Sequence, residues 1–110
     1  MRKFYMIRKY KEIKDKPYII EDMRRFCGRI SEITCEYDNG FVNLFGCFDW
    51  QFLKADLIEI EQLAPDYFKV CRGYIRADNE SGVYRVYLFN GDSKGARLTL
   101  EDAVELAATL

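Results

Sequence analysis

The chain contains no histidine. That removes the Ser-His-Asp triad, the Cys-His nucleophile pair and every histidine-containing metal site. A catalyst built from these residues would need a carboxylate, a lysine or a lone thiolate, so composition leans toward a non-enzymatic protein. Long apolar runs are missing as well. The first ten residues hold four consecutive apolar side chains, Phe4, Tyr5, Met6 and Ile7. A signal peptide needs roughly 7–15 and a membrane helix about 20. The sequence therefore predicts a cytoplasmic protein without a membrane partner. Cys-x-x-Cys is absent too: Cys27, Cys35, Cys47 and Cys71 stand 8, 12 and 24 residues apart. That spacing argues against a zinc site, and a disulfide framework would need an oxidising compartment. The thiols are expected to be buried and reduced, acting as small apolar residues. Cys35 and Cys71 fall in strand-like runs, in keeping with that role. No metal or other cofactor is expected. Internal repeats, low-complexity tracts and long linkers are also absent.

Of the 110 residues, 49% are apolar and 15% aromatic, which excludes a disordered chain and predicts one compact domain or two small lobes. Basic and acidic residues nearly cancel, at 17 against 18, but they are segregated. Residues 1–29 carry an excess of +6, residues 30–66 one of −7, residues 67–98 one of +3 and the last twelve residues one of −3. The basic first third either meets an anionic partner or pairs with the acidic middle of the same chain. The pI near 5.5 favours internal pairing, because nucleic-acid domains usually exceed about 9.

Periodicity predicts mainly short strands. Residues 3–8 read as a short aromatic-rich strand flanked by Lys3 and Arg8, and residues 9–17 read as a polar loop. Residues 21–27 read as one or two helical turns stopped at Gly28. The clearest strand signal spans 29–37, with Ile33, Cys35 and Tyr37 on one side and Glu32, Thr34 and Glu36 on the other. Asn39-Gly40 is a strong hairpin cue, followed by return strands at 41–45 and 50–53 and a closing strand at 55–61. Ala64-Pro65-Asp66 reads as a joint. Beyond it, strands at 67–76 and 83–89 flank a turn-rich loop. A second polar loop follows at 90–95, and 97–99 pairs briefly. A final helix starts at Thr99 as N-cap with Asp102 at N3.

The middle segment carries a methionine-bearing turn at Met23, then Phe26-Cys27-Gly28-Arg29-Ile30 and the Asp38-Asn39-Gly40 hairpin. Trp50-Gln51-Phe52 and a closing strand with Ile58-Glu59 complete the pattern. Residues 18–61 in this respect resemble the small SH3-like barrel proteins of phages and mobile elements of Gram-positive bacteria. The resemblance implies a mainly β fold with minor α: a small SH3-like antiparallel barrel over 1–64 and an added ββα extension over 65–110. Most members of that family have no assigned function, so no catalytic residues carry over.

Trp50 and Phe52 share a strand face. They serve either as a peptide groove, as aromatics near SH3-type loops can, or as plugs of the core, which is the expected use. Tyr84 and Tyr87 fall on opposite faces of their strand. Tyr74, Tyr84 and Arg85 could stack on bases near a hairpin, although packing is the expected use. The candidate binding residues are Trp50, Phe52, Tyr84, Arg85, Arg8, Lys9, Arg24 and Arg25. The expected function is a non-enzymatic protein-binding module, a phage or mobile-element factor that inhibits or recruits a host protein, such as an anti-defence inhibitor. The alternative is a nucleic-acid-binding SH3-like domain that uses the basic N-terminal third.

Overall fold

The computed structural model describes residues 2–110. The chain is mainly β with antiparallel pairing and a small C-terminal helix. Its strands are β1 (Arg2–Ile7), β2 (Ile30–Ser31), β3 (Ile33–Glu36), β4 (Phe41–Leu44), β5 (Gln51–Leu53), β6 (Leu57–Ala64), β7 (Tyr67–Val70), β8 (Gly73–Asp78), β9 (Val83–Leu88) and β10 (Ser93–Arg97). The α-helices are α1 (Tyr10–Ile13) and α2 (Leu100–Ala108), and 3-10 turns span Glu21–Phe26 and Lys54–Asp56. No helix among the described residues is long and apolar enough to cross a membrane. Packing divides the chain into Phe4–Ile58 and a second unit of 59–110 with residues 2–3.

In the Phe4–Ile58 unit, β3, β4 and β5 form an antiparallel sheet in that order, and β1 pairs with β2. The β3–β4 hairpin turns at Asn39-Gly40. Gly40 takes a φ of +87°, and the Asn39 side-chain oxygen accepts from the Phe41 N–H at 3.1 Å. The strand expected over 29–37 breaks at Glu32, because β2 pairs with β1 whereas β3 pairs with β4. The core includes Ile7, Ile13, Met23, Phe26, Val42, Leu44, Cys47 and Phe52. The 9–17 loop includes the single turn α1, whose Ile13 is buried in that core. The distribution of buried side chains corrects two thiol expectations. Cys47 is buried and Cys27 half-buried, but Cys35 and Cys71 are exposed. Cys35 lies on the edge strand β3, and Cys71 sits in the β7–β8 turn with a φ of +50°.

In the 59–110 unit, strands run in the order β10-β9-β8-β7-β6, each pair antiparallel. Ala64-Pro65-Asp66 is the tight connection between β6 and β7, whose pairing reaches Ala64 and Tyr67. Alternation divides this sheet into two faces. Ile60, Phe68, Val70, Gly73, Ile75 and Val86 are buried on the rear face. Helix α2 packs on β7 to β10 and buries Ala103, Val104 and Ala107. Thr99 caps this helix as the sequence predicts, its hydroxyl oxygen accepting from the Asp102 N–H at 3.2 Å. The front face is left partly open.

Candidate binding face of the C-terminal sheet

The front face follows from the register. Tyr67 stands opposite Arg76, and Lys69 opposite Tyr74, across β7 and β8. Arg76 stands opposite Arg85, and Tyr74 opposite Tyr87, across β8 and β9. Each of three consecutive strands thus contributes one aromatic and one cation two residues apart, which puts both on the same face.

The rings and cations interleave. Tyr67 and Tyr74 stack with centroids 5.2 Å apart and planes 8° from parallel. Phe89, 54% exposed just beyond β9, lies 5.0 Å from the Tyr74 centroid. The Arg76 guanidinium sits 5.0 Å above Tyr67, and the Lys69 ammonium lies 5.8 Å from the Phe89 centroid. Tyr67, Tyr74, Arg76, Tyr87 and Phe89 line an open groove of about 340 Å³. Such a groove offers apolar ring surface for packing and guanidinium donors for hydrogen bonds to anions.

At one end of the face, Asp78 is committed to the β8–β9 turn. Its Oδ1 accepts from the N–H groups of Glu80 at 3.0 Å and Ser81 at 3.4 Å. The Ser81 side chain, followed by those backbone donors, holds the Asp78 carboxyl below its ordinary pKa. Its other oxygen is 3.8 Å from Arg85 Nε, at the outer limit of an ion pair.

A larger concavity of about 620 Å³ lies in the Phe4–Ile58 unit, lined by Glu21, Asp22, Arg24, Arg25 and Trp50. It brings together three residues predicted from sequence: Arg24, Arg25 and Trp50. Much of its charge is internally satisfied. Arg24 is 3.3 Å from Glu21 and stacks 4.9 Å over Tyr10, while the Tyr10 hydroxyl donates to Glu21 at 2.9 Å. That donation, with the one from Arg24, holds the Glu21 carboxyl below its ordinary pKa. Arg25 lies over Phe26 at 4.8 Å and over Phe48 at 5.7 Å.

The other predicted residues fall elsewhere. Phe52 is 1% exposed and belongs to the core, which corrects its reading as a binding residue, since no ring surface is left for a partner. Trp50 is half-buried at the rim of that core. Arg8 Nε donates to the Asp56 carbonyl at 3.0 Å, and Lys9 stands at the N-cap of α1. Arg85 is on the front face. Tyr84 alternates with it and pairs across to Ala77 and Arg97, so it belongs to the opposite face from Tyr74. Sequence reasoning missed Tyr67, Lys69, Arg76, Tyr87 and Phe89. Their signal was the repeated aromatic-x-cation spacing in Tyr67/Lys69, Tyr74/Arg76 and Arg85/Tyr87.

The thiols of Cys27 and Cys47 are pushed above their ordinary pKa by burial, away from the reactive thiolate. No group of three or more metal-ligating side chains occurs among the described residues. A scan of family models gives no match to the chain, and neither the curated proteins nor the solved structures give a significant one.

Proposed function

We propose that the protein is a non-enzymatic protein-binding module that takes its partner on the front face of β7–β9. The observation that carries this reading is the ring series of half-buried Tyr67 and Tyr74 and exposed Phe89, interleaved with Arg76 and Lys69. Tyrosine and arginine are the residue types most enriched at energetic centres of protein interfaces. Stiff rings lose little entropy on binding. In this reading the SH3-like barrel is the segment expected over 1–64, and the extension expected over 65–110 carries β7–β9 and so supplies the contact face. The resemblance to phage and mobile-element proteins makes the partner a protein of the bacterial host in the cytoplasm, and inhibition of a host defence factor is one form the activity takes.

The alternative, nucleic-acid binding by the basic N-terminal third, has less support. Lys16 lies 3.4 Å from Asp56, Arg24 3.3 Å from Glu21 and Lys3 3.4 Å from Glu59, while Arg8 donates to a carbonyl. These cations already serve partners within the chain.

The test is affinity capture from lysate of a Gram-positive host at moderate salt, using the intact protein and a Tyr74→Ala/Phe89→Ala variant. The expected result is a defined protein retained by the parent and lost by the variant, with the melting temperatures alike. Retention that survives both substitutions would overturn the choice of face.

A further inference from the structure

We infer that the partner segment read by this face is a short, extended, acidic peptide. Its carboxylates sit on the cross-strand pair Arg76 and Arg85, and a neighbouring proline or apolar ring enters the groove beside Tyr67, Tyr74 and Phe89. The inference rests on the protein-binding reading above and names the chemistry of the partner.

Its first support is the arginine pair. Arg76 and Arg85 stand directly opposite each other in antiparallel register. Like charges at opposed positions destabilise a sheet, and here little in the chain offsets the repulsion. Arg76 makes no ion pair among the described residues, and its guanidinium rests on the Tyr67 ring. Arg85 has only Asp78 at 3.8 Å, and the other oxygen of that carboxylate is occupied by turn N–H groups. Two arginines opposed across β8 and β9 on an open face offer two guanidinium groups, each able to take a carboxylate by bidentate hydrogen bonds.

The second support is the groove. Arg76 lines it together with Tyr67, Tyr74 and Phe89, so the anion site and the ring site adjoin. A partner that offers a carboxylate next to an apolar group fills both together. Aromatic-lined grooves of this kind suit extended, proline-containing chains, whose conformation costs little entropy to fix.

The third support is the boundary of the positive patch, which selects peptide over nucleic acid. Glu61 stands opposite Lys69 on β6, and Asp78 lies two residues beyond Arg76 on β8. With strands about 4.8 Å and residues about 3.4 Å apart, a carboxylate is met roughly 10 Å across the sheet from β8, at Glu61 on β6, and roughly 7 Å along β8 from Arg76, at Asp78. A single-stranded nucleic acid carries a phosphate at every nucleotide over a site of about four or more. Running toward β6 or toward the β8–β9 turn, its backbone would meet Glu61 or Asp78. A peptide can place its carboxylates over the arginines alone.

The test uses the full chain and fluorescein-labelled eight-residue peptides, followed by anisotropy. One set carries two glutamates around a varied Pro, Tyr, Phe or Leu, and a matched set carries glutamine in place of glutamate. An eight-nucleotide oligothymidylate is the third probe. At least one acidic peptide should bind about tenfold or more tighter than its glutamine counterpart, the scale of a lost hydrogen bond to a charged group. Arg76→Gln and Arg85→Gln should each weaken that binding by a similar factor while their melting temperatures stay within about 3 °C of the parent. Arg85→Lys, which keeps the charge, should retain part of the affinity.

If no acidic peptide outperforms its glutamine counterpart, the inference is overturned. Capture of a host protein that still depends on Tyr74 and Phe89 would then leave the protein-binding reading standing. Tighter binding of oligothymidylate than of any peptide, weakened by the same two Arg→Gln changes, would overturn both.

Discussion

Phe52 and Trp50 stand two residues apart, and their surroundings give them different work. Phe52 is sealed in the core with Met23, Phe26, Val42 and Leu44. Its truncation to alanine removes a whole ring from close packing and is expected to cost about 3–5 kcal/mol, a large share of the ~5–15 kcal/mol that holds a small domain. Trp50 covers that core from its rim and keeps one side open to the Arg24–Arg25 concavity. Trp50→Ala is expected to cost about 1–2 kcal/mol, as for a partly buried side chain. Urea unfolding of both variants checks the order, and an equal or larger loss for Trp50 would reverse it. Tyr18 supplies a pH-dependent counterpart. Its hydroxyl donates to Asp56 Oδ2 at 2.8 Å, and its ring meets Phe41 edge-on at 5.1 Å. Burial first, and then that donation, raise its pKa well above the ordinary tyrosine value. The folded state therefore keeps a proton that the unfolded chain releases above about pH 10. The stabilisation is complete below that pH and declines as pH rises from there toward the folded pKa. Thermal melts between pH 9 and 11 should fall more steeply for the parent than for Tyr18→Phe, and identical slopes would remove Tyr18 as the cause.

Elements here are joined by a few close contacts, and Gly73 makes one of them. A Cβ at this position would come within 3.0 Å of the Tyr87 carbonyl oxygen and 3.1 Å of Leu110 Cδ1. The first is backbone and cannot rotate away. Gly73→Ala should therefore push α2 and β9 off β8, at a cost of about 1–3 kcal/mol by the scale of overpacked cores. Leu110→Ala in the same background should restore little, because the carbonyl contact stays. An unchanged melting temperature in Gly73→Ala would contradict the packing. Elements with local signals were legible in the sequence. The Asn39-Gly40 turn, the β8–β9 turn (79–82, two residues shorter than the loop expected over 77–82 because Ala77 and Asp78 pair in β8) and the Thr99 cap each depend on residues close together in the chain. The break at Glu32 was not legible, since it arises from a change of strand partner. Register was equally hidden. Without it Tyr74 and Tyr84 read as neighbours, although they lie on opposite faces, and the opposition of Arg76 to Arg85 left no local trace. α1 is a single turn in a lysine-rich stretch, and burial of Ile13 rather than propensity holds it.

Across the whole molecule, the charges segregated along the sequence meet again in space. Within Phe4–Ile58, Lys16 and Arg8 converge on Asp56, and Lys54 lies 2.8 Å from Glu36. Within the second unit, Lys3 reaches Glu59 at 3.4 Å. Pairs this exposed contribute little to stability, about 0–1 kcal/mol each. They do engage Lys3, Lys16 and Arg24 of the N-terminal third, which would otherwise release counterions from a polyanion. With a net charge of −1, the protein has no overall field to draw nucleic acid from a distance. Duplex DNA binding should therefore be no tighter than the non-specific range of about 10⁻⁴–10⁻⁶ M at physiological salt. A Kd measured across a salt series checks this, with the slope of log K against log salt as the second observable. Each phosphate contact contributes about 0.9 to that slope in duplex DNA. A shallow slope with weak affinity fits cations spent on Asp56, Glu36, Glu21 and Glu59. A sub-micromolar Kd with a steep slope would mean that those pairs open and that the basic third is a nucleic-acid surface after all. The reversal Glu59→Lys distinguishes the two further: it adds positive charge beside Lys3 and should strengthen DNA binding only if phosphate contacts already run across that end of the sheet.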